Sequence, residues 1–140
     1  DTYLPPAYVA IPNAVFAIDN GTGLGTLPAK LADTVALRNV AFKDVGVKAI
    51  ENQLLLFQLT RETTSRITYP LEGLRVPVQV AVIADSGEVV AVHDVAVGAD
   101  RLAVPENHRW LLVSRSGTFD ALGIGVGSVL DPQSVRKVNY

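Results

Sequence analysis

Residues 76–97, VPVQVAVIADSGEVVAVHDVAV, constrain the chain more than any other stretch. Val76, Val78, Val80 and Val82 recur at every second position, with Pro77, Gln79, Ala81 and Ile83 between them. Alternate residues of a strand face opposite ways, so this spacing predicts one valine face. In the second half Val90, Val92 and Asp94 are expected on one face, and Val89, Ala91, His93 and Val95 on the other. The density of β-branched residues disfavours helix. Asp85-Ser86-Gly87 between the two runs signals a hairpin, since Gly87 can take the positive φ that a tight connection needs. Pro77, with no N–H to give, belongs at a strand start or an edge.

Before this hairpin the chain reads as a series of short elements. Pro5, Pro6 and Pro12 surround Tyr8-Val9-Ala10-Ile11, which predicts an extended arm and no helix. Ala14–Asp19 reads as a short strand ended by Asn20-Gly21. The Gly-rich run from Asn20 to Gly25 lacks the Gly-Lys-Ser/Thr ending of a phosphate loop and leads to Pro28, so it reads as a turn or linker. Residues 1–29 are therefore expected as arm and linker, and 30–140 as one β-rich domain. Such an arm packs on its own domain or adds a strand to a neighbouring subunit; the apolar side chains available for the second role are Tyr8, Val9, Ile11, Val15 and Phe16.

Thr34 is placed to cap a helix from Val35 to about Phe42. Leu54–Leu59 is a continuous apolar run, expected as a strand buried on both faces. Ile67–Tyr69 reads as a strand and Gly98–His108 as a loop. Trp110–Val113 reads as a core strand with Trp110 as a packing anchor. Thr118 is expected to cap a short helix stopped by Gly123, and strands are expected from Val126 and over Val135–Tyr140. The sum is a mostly β fold, a small antiparallel barrel or sandwich of about seven or eight strands with two short helices.

Composition limits function. The 140 residues hold 12 Lys and Arg against 14 Asp and Glu, a net charge of -2 with no basic run, so nucleic acid is not an expected partner. No apolar run reaches the roughly 18 residues of a membrane helix. The absence of Cys removes disulfides, thiolate metal sites and cysteine nucleophiles. The absence of Met as well suits an exposed, oxidising location. A start at Asp1 fits a removed secretory signal, and equally a fragment boundary.

The order of Leu31-Ala32-Asp33-Thr34 with Leu37-Arg38, of Val76–Ala81 with Ser86–Val90, and of Trp110–Val113, Gly117-Thr118 and Gly123–Val129 resembles the domain of unknown function 192. That resemblance implies an exported β-rich module with no established reaction. Where that family carries a polar Asn-Thr pair before the hairpin, this chain has Tyr69–Leu74.

No catalytic, cofactor or metal constellation emerges. His93 has Asp94 and Asp85 near it in sequence, and His108 has Ser114, Ser116 and Thr118, but neither makes a recognisable triad or ligand spacing. The expectation is a non-enzymatic exported subunit that assembles with copies of itself through strand edges and the arm. The alternative is a monomeric exported module that binds a small ligand or a partner protein.

Overall fold

The computed structural model describes residues 1–139 and is mostly β. In chain order the strands are β1 (Asn13–Asp19), β2 (Leu24–Ala32), β3 (Leu55–Gln58), β4 (Ile67–Pro70), β5 (Val78–Ile83), β6 (Val89–Val95), β7 (Arg101–Val104), β8 (Trp110–Arg115), β9 (Val129–Leu130) and β10 (Arg136–Lys137). Of three short α-helices, α1 (Pro6–Val9) precedes β1, and α2 (Val35–Val40) and α3 (Thr118–Leu122) lie between strands. The main sheet runs β10-β1-β2-β3-β8-β5-β6, with β9 beside β1, and β4 pairs with β7 in a separate ribbon. Pairing is antiparallel except between β2 and β3, which α2 connects. The sheet is not closed into a barrel: among the described residues its end strands, β10 and β6, do not pair with each other.

The central strands β3, β8 and β5 are buried on both faces, as the uninterrupted apolar runs in the sequence require. On one side Leu55, Phe57, Leu111, Val113, Val78, Val80 and Val82 join Tyr8, Phe42, Tyr69 and Val104 in one core. On the other, Leu56, Leu112, Ala81, Ile83 and Trp110 join Phe16, Phe119 and Leu130 in a second. The valine face read from residues 76–82 therefore belongs wholly to the first core.

The hairpin forms as expected, but the partition of its second strand differs. Ile83 pairs with Val89 and Val82 with Ala91, so a bulge leaves Val90 without a partner. The extra residue flips the alternation: Val89 enters the second core, whereas Ala91 and Val95 pack against the first. Asp94 is exposed and accepts a hydrogen bond from Gln79 Nε2 at 3.0 Å.

The opening residues also depart from the expected extended arm. Pro6 starts one helical turn, where its fixed φ fits and its missing N–H costs nothing. Lys30 Nζ donates to the carbonyls of Val9 and Ile11 at 3.1 and 3.0 Å, closing the end of that turn. Upstream, the N–H groups of Gly46 and Lys48 donate to the carbonyls of Tyr3 and Asp1 at 2.8 Å each. Residues 13–32, which the sequence suggests in part as linker, form the longest two-strand ladder of the sheet, joined at Asn20–Gly23.

Smaller differences have local causes. Thr34 caps α2 by accepting from the Leu37 N–H, as expected, but α3 begins after Gly117, and Thr118 is its first helical residue instead of its cap. Arg101–Val104, within the expected loop, becomes β7 only because β4 supplies its partner. The last expected strand shrinks to Arg136–Lys137; Tyr140 lies outside the described residues.

At the hairpin turn, Gly87 has a φ of +94°, and its N–H and carbonyl bond to Ala84 O and the Leu130 N–H. A Cβ at Gly87 would collide with the Leu130 carbonyl. Gly87→Ala is therefore expected to cost about 3 kcal/mol in urea unfolding, combining left-handed strain with the collision. Gly21→Ala, at φ +97° with open space around it, should cost only about 1 kcal/mol.

Candidate functional site

The structure separates the five apolar side chains that the sequence offers for contact with a neighbouring subunit. Tyr8, Ile11 and Phe16 are fully buried in their own domain, Tyr8 with its hydroxyl donating to Gln53 Oε1 at 2.6 Å. Burial holds the Tyr8 phenol well above its usual range, so it stays neutral. Val15 is half-buried within β1, and Val9 is exposed on α1. These residues bring no shared outward surface together.

The most developed polar arrangement lies elsewhere, where α2 faces the connection between β3 and β4. An open cleft of about 580 Å³ is floored by Leu59 and Ile67 and rimmed by Asp33, Arg38, Arg61, Glu62 and the hydroxyl residues Thr60, Thr63, Thr64 and Ser65. Arg38 comes from the last turn of α2 and donates through Nη1 to Gln58 O at 2.9 Å. Asp33 pairs with Lys137 at 3.1 Å. Glu62 Oε2 accepts from the Asp85 N–H at 2.6 Å, tying the cleft wall to the hairpin turn. Asp85 in turn pairs with Arg109 at 3.2 Å, whose Nε donates to Leu59 O.

Behind the cleft wall sits His108, fully buried. Its Nδ1 is 2.8 Å from the Glu106 carbonyl, which can only accept, so Nδ1 carries the proton. Nε2 is then an acceptor for the Tyr69 hydroxyl at 2.6 Å. Thr63 Oγ1 accepts from the His108 N–H at 3.1 Å, and the Thr63 N–H donates to His108 O at 2.9 Å. Burial lowers the His108 pKa, opposed in part by the Glu106 carbonyl and the Glu106 and Glu62 charges. The Tyr69 phenol is pushed up to about 12 by burial, with Arg38 acting the other way. A neutral imidazole and a neutral phenol therefore share one short hydrogen bond.

This arrangement does not suit general-base catalysis. The nearest aliphatic hydroxyl, Thr63 Oγ1, is 3.4 Å from Nδ1, the nitrogen that already holds a proton, and the nearer Tyr69 hydroxyl is a buried phenol held neutral. The hydroxyls near His108 in sequence are no better placed: Ser116 and Thr118 lie beyond the far end of β8, and Ser114 is buried within it. His93, on β6, pairs with Glu106 at 2.8 Å and has no hydroxyl as a hydrogen-bond partner among the described residues. Among the described residues no cluster of three His, Asp or Glu could hold a metal ion.

Tyr69 and Thr63 were not singled out in the sequence, although both contact His108. They lie 39 and 45 positions from it, and only the pairing of β4 with β7 and of β3 with β8 closes those gaps. Arg38 was visible as part of the capped helix but gave no sign of its place in a cleft.

With the fold and this geometry in hand, the class defined is a mostly β domain with a central sheet buried on both faces. Crystal structures that share this fold include those of two proteins. One, from Sinorhizobium meliloti and named a "putative transcription regulator", has a TM-score of 0.70 at 19% identity, covering 85% of this chain and 92% of its own. The other, a protein of unknown function from Novosphingobium aromaticivorans, has a TM-score of 0.68 at 16% identity, covering 94% and 99%. At these identities the likeness is one of fold. No family model and no curated protein matches the chain.

The buried pair makes a prediction for stability. Tyr69→Phe leaves His108 Nε2 without a donor and is expected to cost about 1–3 kcal/mol in urea unfolding. Because the folded His108 pKa lies below the ordinary 6.5, the unfolded chain binds its proton first as pH falls. Stability from this group is thus intact above about 6.5 and declines as pH drops below it. His108→Gln should flatten that decline between about pH 6.5 and 5, measured by urea unfolding across the range.

Proposed function

We propose that the protein is a non-catalytic, exported binding module whose working surface is the polar cleft between α2 and residues 59–67. The observation that carries this reading is the rim itself: two arginines and four hydroxyl residues converge on one depression of about 580 Å³, over an apolar floor. That volume lies within the range of small-molecule sites, and convergent polar groups are what fix a ligand's orientation. The wall is rigid, since Thr63 is bonded twice to the backbone of the residue that anchors Tyr69. The resemblance to the exported domain of unknown function 192 accords with such a module, as does a sequence free of Cys and Met. DNA is not the ligand proposed, because the net charge is -2 and the basic residues form no run.

The test is an amide chemical-shift screen against pooled sugars, amino acids, nucleotides and organic acids. At least one compound is expected to shift amides of residues 59–67 and α2 selectively, and Thr64→Trp, which fills the cleft, should abolish the shift. A screen in which no compound moves those amides rejects the reading.

A second reading, self-assembly through a strand edge, is favoured by one feature. Among the described residues β6 pairs, beyond its first residue, on one side only, with β5, which leaves an open edge from Ala91 to Val95. The opening arm is folded onto its own domain, so an edge contact of this kind would not draw on it. Sedimentation velocity should then show a concentration-dependent mass reduced by Val90→Lys, at the exposed residue that starts the edge. A single monomeric mass at all concentrations rejects assembly.

A further inference from the structure

The balance of partners in the cleft singles out a ligand class. Its two carboxylates are already engaged, Asp33 by Lys137 at 3.1 Å and Glu62 by the Asp85 N–H at 2.6 Å. Neither of its two guanidiniums forms an ion pair among the described residues. Arg38 has five N–H donors and gives one to Gln58 O. Arg61 is exposed and makes no hydrogen bond or ion pair among the described residues. The hydroxyls of Thr60, Thr64 and Ser65 are likewise without protein partners among the described residues. With Asp33 neutralised by Lys137, the two guanidiniums face one remaining carboxylate charge, Glu62, so the cleft presents a surplus of free donors and one net positive charge.

We propose, resting on the binding-module reading, that the cleft takes a small molecule bearing an oxyanion, carboxylate or phosphoryl, held by the Arg38 and Arg61 guanidiniums with the Thr60, Thr64 and Ser65 hydroxyls. The planar guanidinium fork matches two oxygens of either group at once, and hydroxyls complete the shell by donating to the remaining lone pairs. A neutral polyol would leave the guanidinium charge without a counterpart. A cation would meet two arginines, with Asp33 already paired to Lys137 and Glu62 tied through Oε2 to a backbone N–H. The fixed position of Arg38 favours the anion further: its anchor on Gln58 O holds the side chain over the cleft, so little freedom is lost on binding.

The test titrates sodium phosphate, sodium citrate and glucose separately into the full chain at constant ionic strength, followed by backbone amide and arginine Nε resonances. Phosphate or citrate is expected to shift residues 59–67 and the Arg38 and Arg61 Nε signals, and to bind more weakly as sodium chloride rises. Whichever of the two binds more tightly identifies the phosphoryl or the carboxylate form. Arg61→Gln, which breaks no contact in the fold, should weaken binding about tenfold or more, with Arg61→Lys intermediate because it keeps charge but loses the fork. Arg38→Gln should act in the same direction. Anion binding unchanged by both glutamine variants overturns the proposal. Shifts at the cleft with glucose and none with either anion overturn the oxyanion class and leave the module reading standing. Silence from all three probes, together with silence in the broader screen, overturns both.

Discussion

The structure depends on three adjacent strands, β3, β8 and β5, that face two cores at once. Leu55 and Phe57 point one way and Leu56 the other; Leu111 and Val113 are answered by Leu112 in the same manner. Each such side chain contributes roughly 1.5–3 kcal/mol when removed from water. A sheet buried on both sides needs covers, and the rest of the chain supplies them. The β4–β7 ribbon, α1 and the residues around Phe42 lie over one face; α3, Ile124 and Leu130 lie over the other.

The candidate site is a by-product of that covering. To bring β4 over the first core, the chain must leave the end of β3, turn through residues 59–66 and return. That turn, fixed through Thr63 to the loop before β8 and through Glu62 to the hairpin, forms one wall. The parallel connection from β2 to β3 places α2 opposite, with Arg38 reaching across to Gln58 O. Tyr69 and His108 hold the ribbon and the strand start together inside the core, satisfying each other's polar atoms. Among the described residues no buried side-chain polar atom lacks a partner. The pair thus reads as a polar tie within an apolar core, and the solvent-facing chemistry falls to the arginines.

Folding of the opening residues onto their own domain shifts weight away from strand exchange. Tyr8 and Ile11 fill the first core and Phe16 the second, so releasing them would expose both. What is left for contact with other molecules is the cleft, rich in donors, and the edge of β6, an open backbone edge with the exposed Val90 at its start.

Much of this was legible from one-dimensional pattern, because local periodicity reports burial. The doubly buried run at Leu54–Leu59, the valine face of Val76–Val82, the turn at Gly87 and the Thr34 cap each follow from residue type and spacing alone. Other features were decided only by partners distant in sequence. The bulge at Val90 arises where β6 also bonds Gly127 and Ser128, and β7 exists because β4 lies beside it. The helical turn at Pro6 persists because Lys30 and the first core hold it. Likewise Arg38 and Arg61 read as ordinary surface charges until the β2–β3 crossover and the β3–β4 turn face each other. Periodicity fixes which side of an element is apolar, but a site requires two elements to meet, and that meeting is set by tertiary packing.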